Sequence, residues 1–386
     1  MSKDKVLILC GCKYPEGDAG SVRVHALAKL LVLCGKEVVV IGKGNNCTTH
    51  KESTYDGIAY YSFRYYSNSL LGKIADRVSY TKRLKRFLEK DGRGKGFSDF
   101  IIVDIPFSAI RYARRFAKAN GIHLIHDSME WYSPSQFRFG RLNPMYIHRD
   151  RLNSRIIDKD FRIIAISRFL EDYYKQKGCQ TIRIPAILTT QNAVSEKATP
   201  DKWIITYAGL PEKKDKLIEI MESYISLDKK EQEMIELRIV GVTLAAMAKR
   251  FGLSSEAASR FKNIVFYGRL PRKETLEKLQ ETHFTIFYRD ANERYAKAGF
   301  PTKVAESTSM GIPIITNLSS DLSLYLKNME NSIVIDESGD GIKNALSALC
   351  TLSNDAYNRM RKNALDTYNQ FFYYADYKSD MESFLS

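Results

Sequence analysis

Glu306 lies in the stretch AGFPTKVAESTSMGIPIITN (residues 298–317), in which Pro301 suits the first turn of a helix and Gly311 the position just past its end. The residues between are small (Ala305, Ser307, Thr308, Ser309), so such a helix approaches other backbone closely. Its first amides, at Thr302 and Lys303 with Val304 next, are free to hold an anion. A carboxylate one turn further in accepts hydrogen bonds from hydroxyls. The chemistry suggested is recognition of a phosphate and a sugar. A lone Glu is also commonly just a solvated helix residue, and this stretch alone does not decide between the two.

Other chemistry-bearing residues fall at the ends of strand-like runs. GCKYPEGDAGSVR follows the first such run, and its Gly11, Gly17 and Gly20 lead into a helix with Arg23 in the first turn. Glycine permits close backbone approach to a ligand, although three glycines also make an ordinary loop. Neither the dinucleotide fingerprint nor a P-loop is present, which disfavours NAD and ATP chemistry of those types. His126, Asp127 and Glu130 follow IHLI. There a histidine can donate to a sugar hydroxyl while the acids orient it, or His126 is a core residue beside a helix-capping Asp127. Gly209 ends WIITYAG, with Lys213 and Lys214 just beyond it; Arg269 and Leu270 follow NIVFYG; Arg289 follows FTIFY. Pooled with Thr302 and Lys303, these cations surround one point, as a nucleotide diphosphate leaving group needs.

The elements that must position these residues alternate strand and helix along the whole chain. KVLILC (5–10), a helix over 19–35 and EVVVIG (37–42) make one βαβ unit. IAYYSFRY, a basic helix near 75–90, DFIIVDI (99–105), IHLIHD (122–127), a polar helical segment over about 142–158, and a strand turning into a helix at Ser167 continue the pattern. The polar run at 189–201 reads as a linker. A second block starts at WIITYAG (203–209) and runs through LRIVG, NIVFYG, FTIFYR, IPIITN and NSIVID. The expected fold is α/β, with two doubly wound domains at 1–190 and 201–370 and a C-terminal helix at 371–386 crossing back to the first. In such sheets ligands bind beyond the carboxyl ends of the strands.

A chain of 386 residues with 44% hydrophobic and 27% charged residues is an ordinary globular composition of two-domain size. It contains no membrane-spanning stretch and no signal peptide, which points to a cytoplasmic protein. Six scattered cysteines (Cys10, Cys12, Cys34, Cys47, Cys179, Cys350) show no metal-ligand spacing and read as reduced thiols. Charge is unevenly spread: residues 1–190 carry a net +15 and the remainder −1. The densest part includes YTKRLKRFLEK, with Lys82, Arg83, Lys85 and Arg86 interleaved with Tyr80, Leu84, Phe87 and Leu88. An anionic partner is implied, or else a solvated basic helix. No nucleic-acid module accompanies the charge, so nucleic acid is not expected as the partner.

Taken together, YPEGDAGSVRVHALAKLLVLCGKEVVVI, HDSMEWYSPSQF, IIAISRFLEDYY, YAGLPEKKDKL and FPTKVAESTSMGIPIITN resemble the retaining glycosyltransferases of the GT-B fold (glycosyl transferases group 1) that build bacterial capsule, exopolysaccharide and lipopolysaccharide. The resemblance implies two Rossmann-like domains facing a central cleft, with a nucleotide sugar (UDP as the nucleotide) in the second and a glycan or lipid-linked acceptor in the first. It assigns Glu306 to the nucleotide ribose and Lys214 to the donor diphosphate. Gly17 and Gly20 become the acceptor-side loop with Arg23, Asp127 and Glu130, and His126 faces the donor sugar. It further implies a metal-independent front-face reaction with no cofactor, and the charge of Lys82, Arg83, Lys85 and Arg86 adds the expectation of a protein peripheral on the inner membrane face. Two positions depart from the pattern. Ala298 stands where the family often has a second glutamate, and no arginine precedes Lys214 in AGLPEKK, so Arg289 or Lys303 is left to supply that charge. A degenerate subunit that binds a partner or membrane without catalysis is the alternative.

Overall fold

The computed structural model describes residues 4–15, 17, 19–44, 52–64, 70–90, 96–190, 200–211 and 214–386. The chain forms two compact units: Met1–Trp131 with Arg141–Thr189 and Tyr373–Ser386, and Tyr132–Gly140 with Thr190–Phe372.

The first unit is built on strands β1 (Lys5–Lys13), β2 (Glu37–Gly44), β3 (Ser53–Tyr55), β4 (Ile58–Arg64), β5 (Phe97–Val103), β6 (His123–Ser128), β7 (Phe161–Ala165) and β8 (Thr181–Arg183). Their order in the sheet is β3-β4-β2-β1-β5-β6-β7-β8. All pairs are parallel except the β3–β4 hairpin. That hairpin turns through Asp56 and Gly57, both at positive φ, the backbone a two-residue Asp-Gly turn requires. The continuous apolar run Val6–Cys10 is fully buried because helices cover both faces of a parallel sheet. Gly11 cannot carry a side chain, since a Cβ would lie 2.0 Å from the Asp104 carbonyl oxygen. Its smallness therefore serves the approach of two backbone segments within the unit. Met381, Phe384 and Leu385, from the helix Lys378–Leu385, pack into this unit's core with Val24, Leu27 and Ile184.

The second unit contains β9 (Trp203–Ala208), β10 (Ile235–Val240), β11 (Val265–Gly268), β12 (Phe284–Ile286), β13 (Ile314–Thr316) and β14 (Ser332–Val334). They are ordered β11-β10-β9-β12-β13-β14 and all parallel. The order reverses between β9 and β12, and a crevice at such a reversal is where doubly wound sheets bind ligands. Strands β12 and β13 are shorter than FTIFYR and IPIITN suggest, which frees Arg289 and Asn317 from the ladder.

Several elements differ from the sequence expectation. The basic helix begins earlier, as Leu70–Lys85, and widens into a π-helical turn at Arg86–Lys90. Its Tyr80, Leu84, Phe87 and Leu88 are buried, with Tyr80 edge-on to Phe63 and Phe87 edge-on to Tyr61. Only the cations of the pattern face outward, Lys82, Lys85 and Arg86 exposed and Arg83 half-buried. The polar segment over 142–158 resolves into the helix Pro144–Arg151 and a π turn at Leu152–Ile156. Most of the linker (191–199) and Cys47 lie outside the described residues, and the five described cysteines are unbonded. Among the described residues no helix is long and apolar enough to cross a membrane.

Candidate functional site

The loop that leaves β9 carries Asp215, a residue the sequence reading passed over. Asp215 is 3% exposed and accepts from the Tyr207 hydroxyl (2.9 Å), Arg289 Nε (3.1 Å) and Lys303 Nζ (2.7 Å). Burial pushes its carboxyl up, but Lys303 and Arg289 at hydrogen-bond distance outweigh that and hold it well below the usual carboxylate value. Burial conversely pushes the Lys303 ammonium down, against the pull of Asp215. Lys303 also stands 4.0 Å from the centre of the Tyr207 ring, a cation–π contact. Two cations share one carboxylate, so the cluster keeps a net positive charge.

Arg289 is fixed from two sides. Asn317, fully buried at the end of β13, accepts from the Arg289 amide (3.1 Å) and donates to its carbonyl (2.7 Å). Only Nε reaches Asp215; among the described residues nothing accepts from the two terminal guanidinium nitrogens. A buried arginine whose terminal nitrogens meet no acceptor among the described residues, beside a buried ion pair, has donors with which to receive an anion.

The neighbouring strand ends are bare backbone. Gly209 (φ 147°), Gly241 (φ 121°) and Gly268 (φ 68°) follow or end β9, β10 and β11 at conformations that favour glycine. A Cβ on Gly241 would lie 2.1 Å from the Gly209 oxygen, and one on Gly209 would lie 3.1 Å from Lys303 Cε. Glycine at 209 thus leaves the space that Lys303 occupies. The helix Thr302–Ser309 starts beside them, one residue later than expected, because Pro301 takes the N-cap position. The Pro301 carbonyl accepts from the Val304 amide (3.0 Å), leaving those of Thr302 and Lys303 as the pair able to meet an anion. Gly311, at φ 61°, follows the helix end.

Glu306, half-buried one turn into that helix, accepts from Arg272 Nη1 at 3.1 Å. Arg272 opens the helix Arg272–Gln280, three residues past Arg269, and was not anticipated. Arg269 is exposed and Leu270 half-buried between the strand end and this helix. Lys214 is half-buried; its carbonyl accepts from Tyr295 OH (3.2 Å), and its charge adds to the field on Lys303. Lys213 lies outside the described residues. Ala298 is fully buried at the end of the short helix Arg294–Ala298.

The residues expected on the acceptor side are arranged otherwise. Strand β6 runs to Ser128, so His126 and Asp127 lie within it and not beyond its end. The His126 ring is 4% exposed, with Nδ1 3.3 Å from the Ile102 carbonyl and Tyr174 edge-on, and burial lowers its pKa to about 4. Asp127 caps no helix. It accepts from Arg23 Nε (2.9 Å) and Nη2 (2.7 Å) in a fully buried ion pair, and Arg23 also donates to the Pro185 (2.6 Å) and Ile184 (3.2 Å) carbonyls. Arg23 lies just past the first turn of the helix Ala19–Leu33, with Gly20 inside that helix and Gly17 exposed ahead of it. Glu130 is exposed, and its carbonyl accepts from Asn153. Arg23, His126 and Asp127 thus fill the interior of their unit, because Arg23 closes on the Asp127 carboxylate and Tyr174 packs against the His126 ring. Among the described residues no three His, Cys, Asp or Glu side chains gather as a metal site would need.

Residues 189–367 match the family described as glycosyl transferases group 1. No curated protein matches the chain by sequence. Among solved structures, sucrose-phosphate synthase from Thermosynechococcus elongatus superposes with a TM-score of 0.73 at 11% identity, covering 99% of this chain and 98% of that one. HepE from Anabaena, solved with UDP and glucose, gives 0.67 at 11% identity with 99% of both chains covered. WaaG, a glycosyltransferase involved in lipopolysaccharide biosynthesis, gives 0.65 at 13% identity, again over 99% of both. The chain therefore has the GT-B fold, and the match to the glycosyl transferases group 1 family is confined to residues 189–367.

Proposed function

We propose that the protein is a retaining glycosyltransferase that moves a sugar from a nucleotide-diphosphate donor to a glycan or lipid-linked acceptor in bacterial surface polysaccharide synthesis. The observation that carries this reading is the Asp215 cluster. It sets Arg289 and Lys303 beneath bare glycine backbone where the strand order reverses, with Glu306 one helical turn away. UDP is the favoured nucleotide, since HepE is solved with UDP and glucose. The diphosphate lies against Arg289, Lys303, Lys214 and the Thr302 and Lys303 amides, and Glu306 accepts from the ribose hydroxyls. Arg289 and Lys303 take the place of the arginine missing before Lys214.

The acceptor hydroxyl oxygen bonds to the anomeric carbon on the face the diphosphate leaves. The bond from that carbon to the phosphate oxygen breaks, and the hydroxyl proton passes to the departing phosphate. Negative charge grows on the diphosphate during the step, so cations fixed in advance stabilise the transition state more than the bound donor. His126, neutral and buried, acts in this scheme through packing and not as an acid. The enzyme needs no metal and works at the inner membrane face, where Lys82, Arg83, Lys85 and Arg86 meet anionic lipid.

Buried Ala298 favours a second reading, a degenerate subunit that binds a partner or membrane without catalysis. Thermal-shift screening with UDP, GDP, ADP and TDP sugars, followed by a transfer and hydrolysis assay, separates the two. Stabilisation by none of the nucleotides, or stabilisation without turnover, overturns the transferase and leaves the second reading. For the enzyme, Glu306→Ala weakens donor binding by about 1.5–3 kcal/mol. Lys214→Ala lowers the transfer rate more than donor affinity, and an effect confined to affinity would make Lys214 a positioning cation.

A further inference from the structure

The stretch Tyr132–Gly140 belongs to the second unit, although the chain on both sides of it belongs to the first. The short helix Arg294–Ala298 fastens it there. Arg294 donates from Nε (3.2 Å) and Nη2 (2.5 Å) to the Tyr132 carbonyl, and the Tyr295 amide donates to Ser133 Oγ (3.1 Å). Ser133 is 1% exposed, and its own amide donates to Gln136 Oε1 (2.9 Å), so the hydroxyl is presented from an ordered turn. The helix needs that hydroxyl. The first amides of a helix have no partner within it, and Glu293, at the N-cap position, makes no side-chain cap bond. Ser133, 162 positions before Tyr295, caps the helix in its place.

The Tyr295 side chain carries the contact on to the charged cluster. Tyr295 is buried, and its hydroxyl donates to the Lys214 carbonyl at 3.2 Å. Burial pushes this phenol up to about 12, so it keeps its proton at neutral pH. The next residue is Asp215, whose carboxylate is held by Tyr207, Arg289 and Lys303, and after it the Lys216 amide donates to the Tyr288 carbonyl (3.0 Å). Lys214, Asp215 and Lys216 are thus gripped one after another, and the grip on Lys214 runs back through Tyr295 to Ser133.

We infer that Ser133 and Tyr295 are positioning residues for Lys214: the serine fixes the short helix, and the tyrosine hydroxyl fixes the backbone from which the lysine reaches the donor diphosphate. A lysine is a point charge on a flexible stem, so only a fixed backbone confines where that charge can stand. Misplacement of a charge by about 1 Å is enough to weaken its action on a reacting group. Resting on the nucleotide-diphosphate reading above, this gives the donor site two residues that touch no substrate.

The test is titration calorimetry of the full chain with UDP and with UMP, which differ by one phosphate and so report on Lys214. Wild type binds UDP more tightly than UMP, and Lys214→Ala lowers that ratio about tenfold. Tyr295→Phe keeps the ring and lowers the ratio about fivefold, with UMP affinity unchanged. Ser133→Ala lowers it about threefold, and Ser133→Thr, which keeps a hydroxyl, restores it. In the Lys214→Ala background neither change lowers the ratio further, because the lysine they position is gone. Should Tyr295→Phe fail to fold, the Ser133→Ala and Ser133→Thr pair decides on the same ratio. Equal loss of affinity for UDP and UMP would make both residues merely structural and overturn the inference. A ratio untouched by the substitutions, or lowered equally with and without Lys214, overturns it too. Wild-type protein that binds UDP no better than UMP instead brings down the diphosphate reading, and the inference with it.

Discussion

Each unit buries an aspartate against an arginine, and the two clusters are built for opposite ends. In the first, Arg23 meets Asp127 one to one, and all three guanidinium nitrogens are engaged by that carboxylate and two carbonyls. The pair is electrically closed, and it ties the first helix to β6 and to the chain after β8. In the second, Asp215 faces two cations, and the terminal nitrogens of Arg289 have no acceptor among the described residues. That cluster is one negative charge short. The difference teaches that burial of an ion pair alone says nothing of a ligand, whereas unbalanced charge at a strand-order reversal is what an anion site would need.

Breaking either cluster should give the largest effects and separate the two. Asp127→Ala and Asp215→Asn each strand buried positive charge, which costs about 3–5 kcal/mol of stability in the affected unit. They part on addition of UDP. An anion supplies Asp215→Asn with the charge it lacks, so this variant binds UDP more tightly than the wild type, and at one fixed UDP concentration, about a hundred times the wild-type Kd, it gains more than the roughly 2.7 kcal/mol the wild type gains. The same UDP gives Asp127→Ala no more than it gives the wild type. Calorimetric melts with and without UDP check this, and equal rescue of both variants would erase the distinction drawn between the clusters.

Acid should also distinguish the units, at a somewhat smaller scale. His126 is held neutral by burial, with a folded pKa of about 4 against 6.5 unperturbed. A lowered folded value means its contribution is present above 6.5 and is lost as pH falls toward 4, because the unfolded chain takes up the proton first. The loss amounts to about 3 kcal/mol at 1.36 kcal/mol per pKa unit. Asp215, whose pKa lies below its ordinary 3.8, keeps its contribution throughout that window and loses it only in stronger acid. The first unit should therefore melt earlier between pH 6.5 and 4, and His126→Asn should flatten the trend. A pH-independent first transition would show that the His126 ring opens to water more easily than its packing implies.

Both sheets were legible in the sequence, because strand and helix alternate with clear glycine punctuation from KVLILC to NSIVID. The Thr302–Ser309 helix and the strand-end position of Arg289 were legible for the same reason. Asp215 was not: in KKDKL, an acid among lysines reads as solvated, and only the fold brings Tyr207, Arg289 and Lys303 onto it. Asn317 looked like the end of a strand, since nothing local announces that its amide grips the Arg289 backbone. Tyr80 and Phe87 have the spacing of an amphipathic face, but spacing does not say whether that face meets Phe63 and Tyr61 or a membrane. His126 and Asp127 read as the exposed end of a strand, and nothing local announces that Tyr174 and Arg23, distant in sequence, cover them.

The smallest predicted effect concerns the contact between Arg272 and Glu306, which lies between the two extremes: paired like Asp127, but open to solvent like a ligand site. Arg272 is 52% exposed and Glu306 21%, so the pair is worth no more than about 1 kcal/mol. A ribose hydroxyl reaching Glu306 must share the carboxylate with Arg272 or displace it. Arg272→Ala should therefore leave the melting temperature nearly unchanged and release Glu306 for the ligand, tightening UDP binding by up to about fivefold, the equivalent of the lost pair. Isothermal titration of the two proteins decides. Weaker binding to the variant would mean that Arg272 orients the carboxylate or itself touches the nucleotide, and the Glu306 pair would then belong with the positively charged cluster around Asp215.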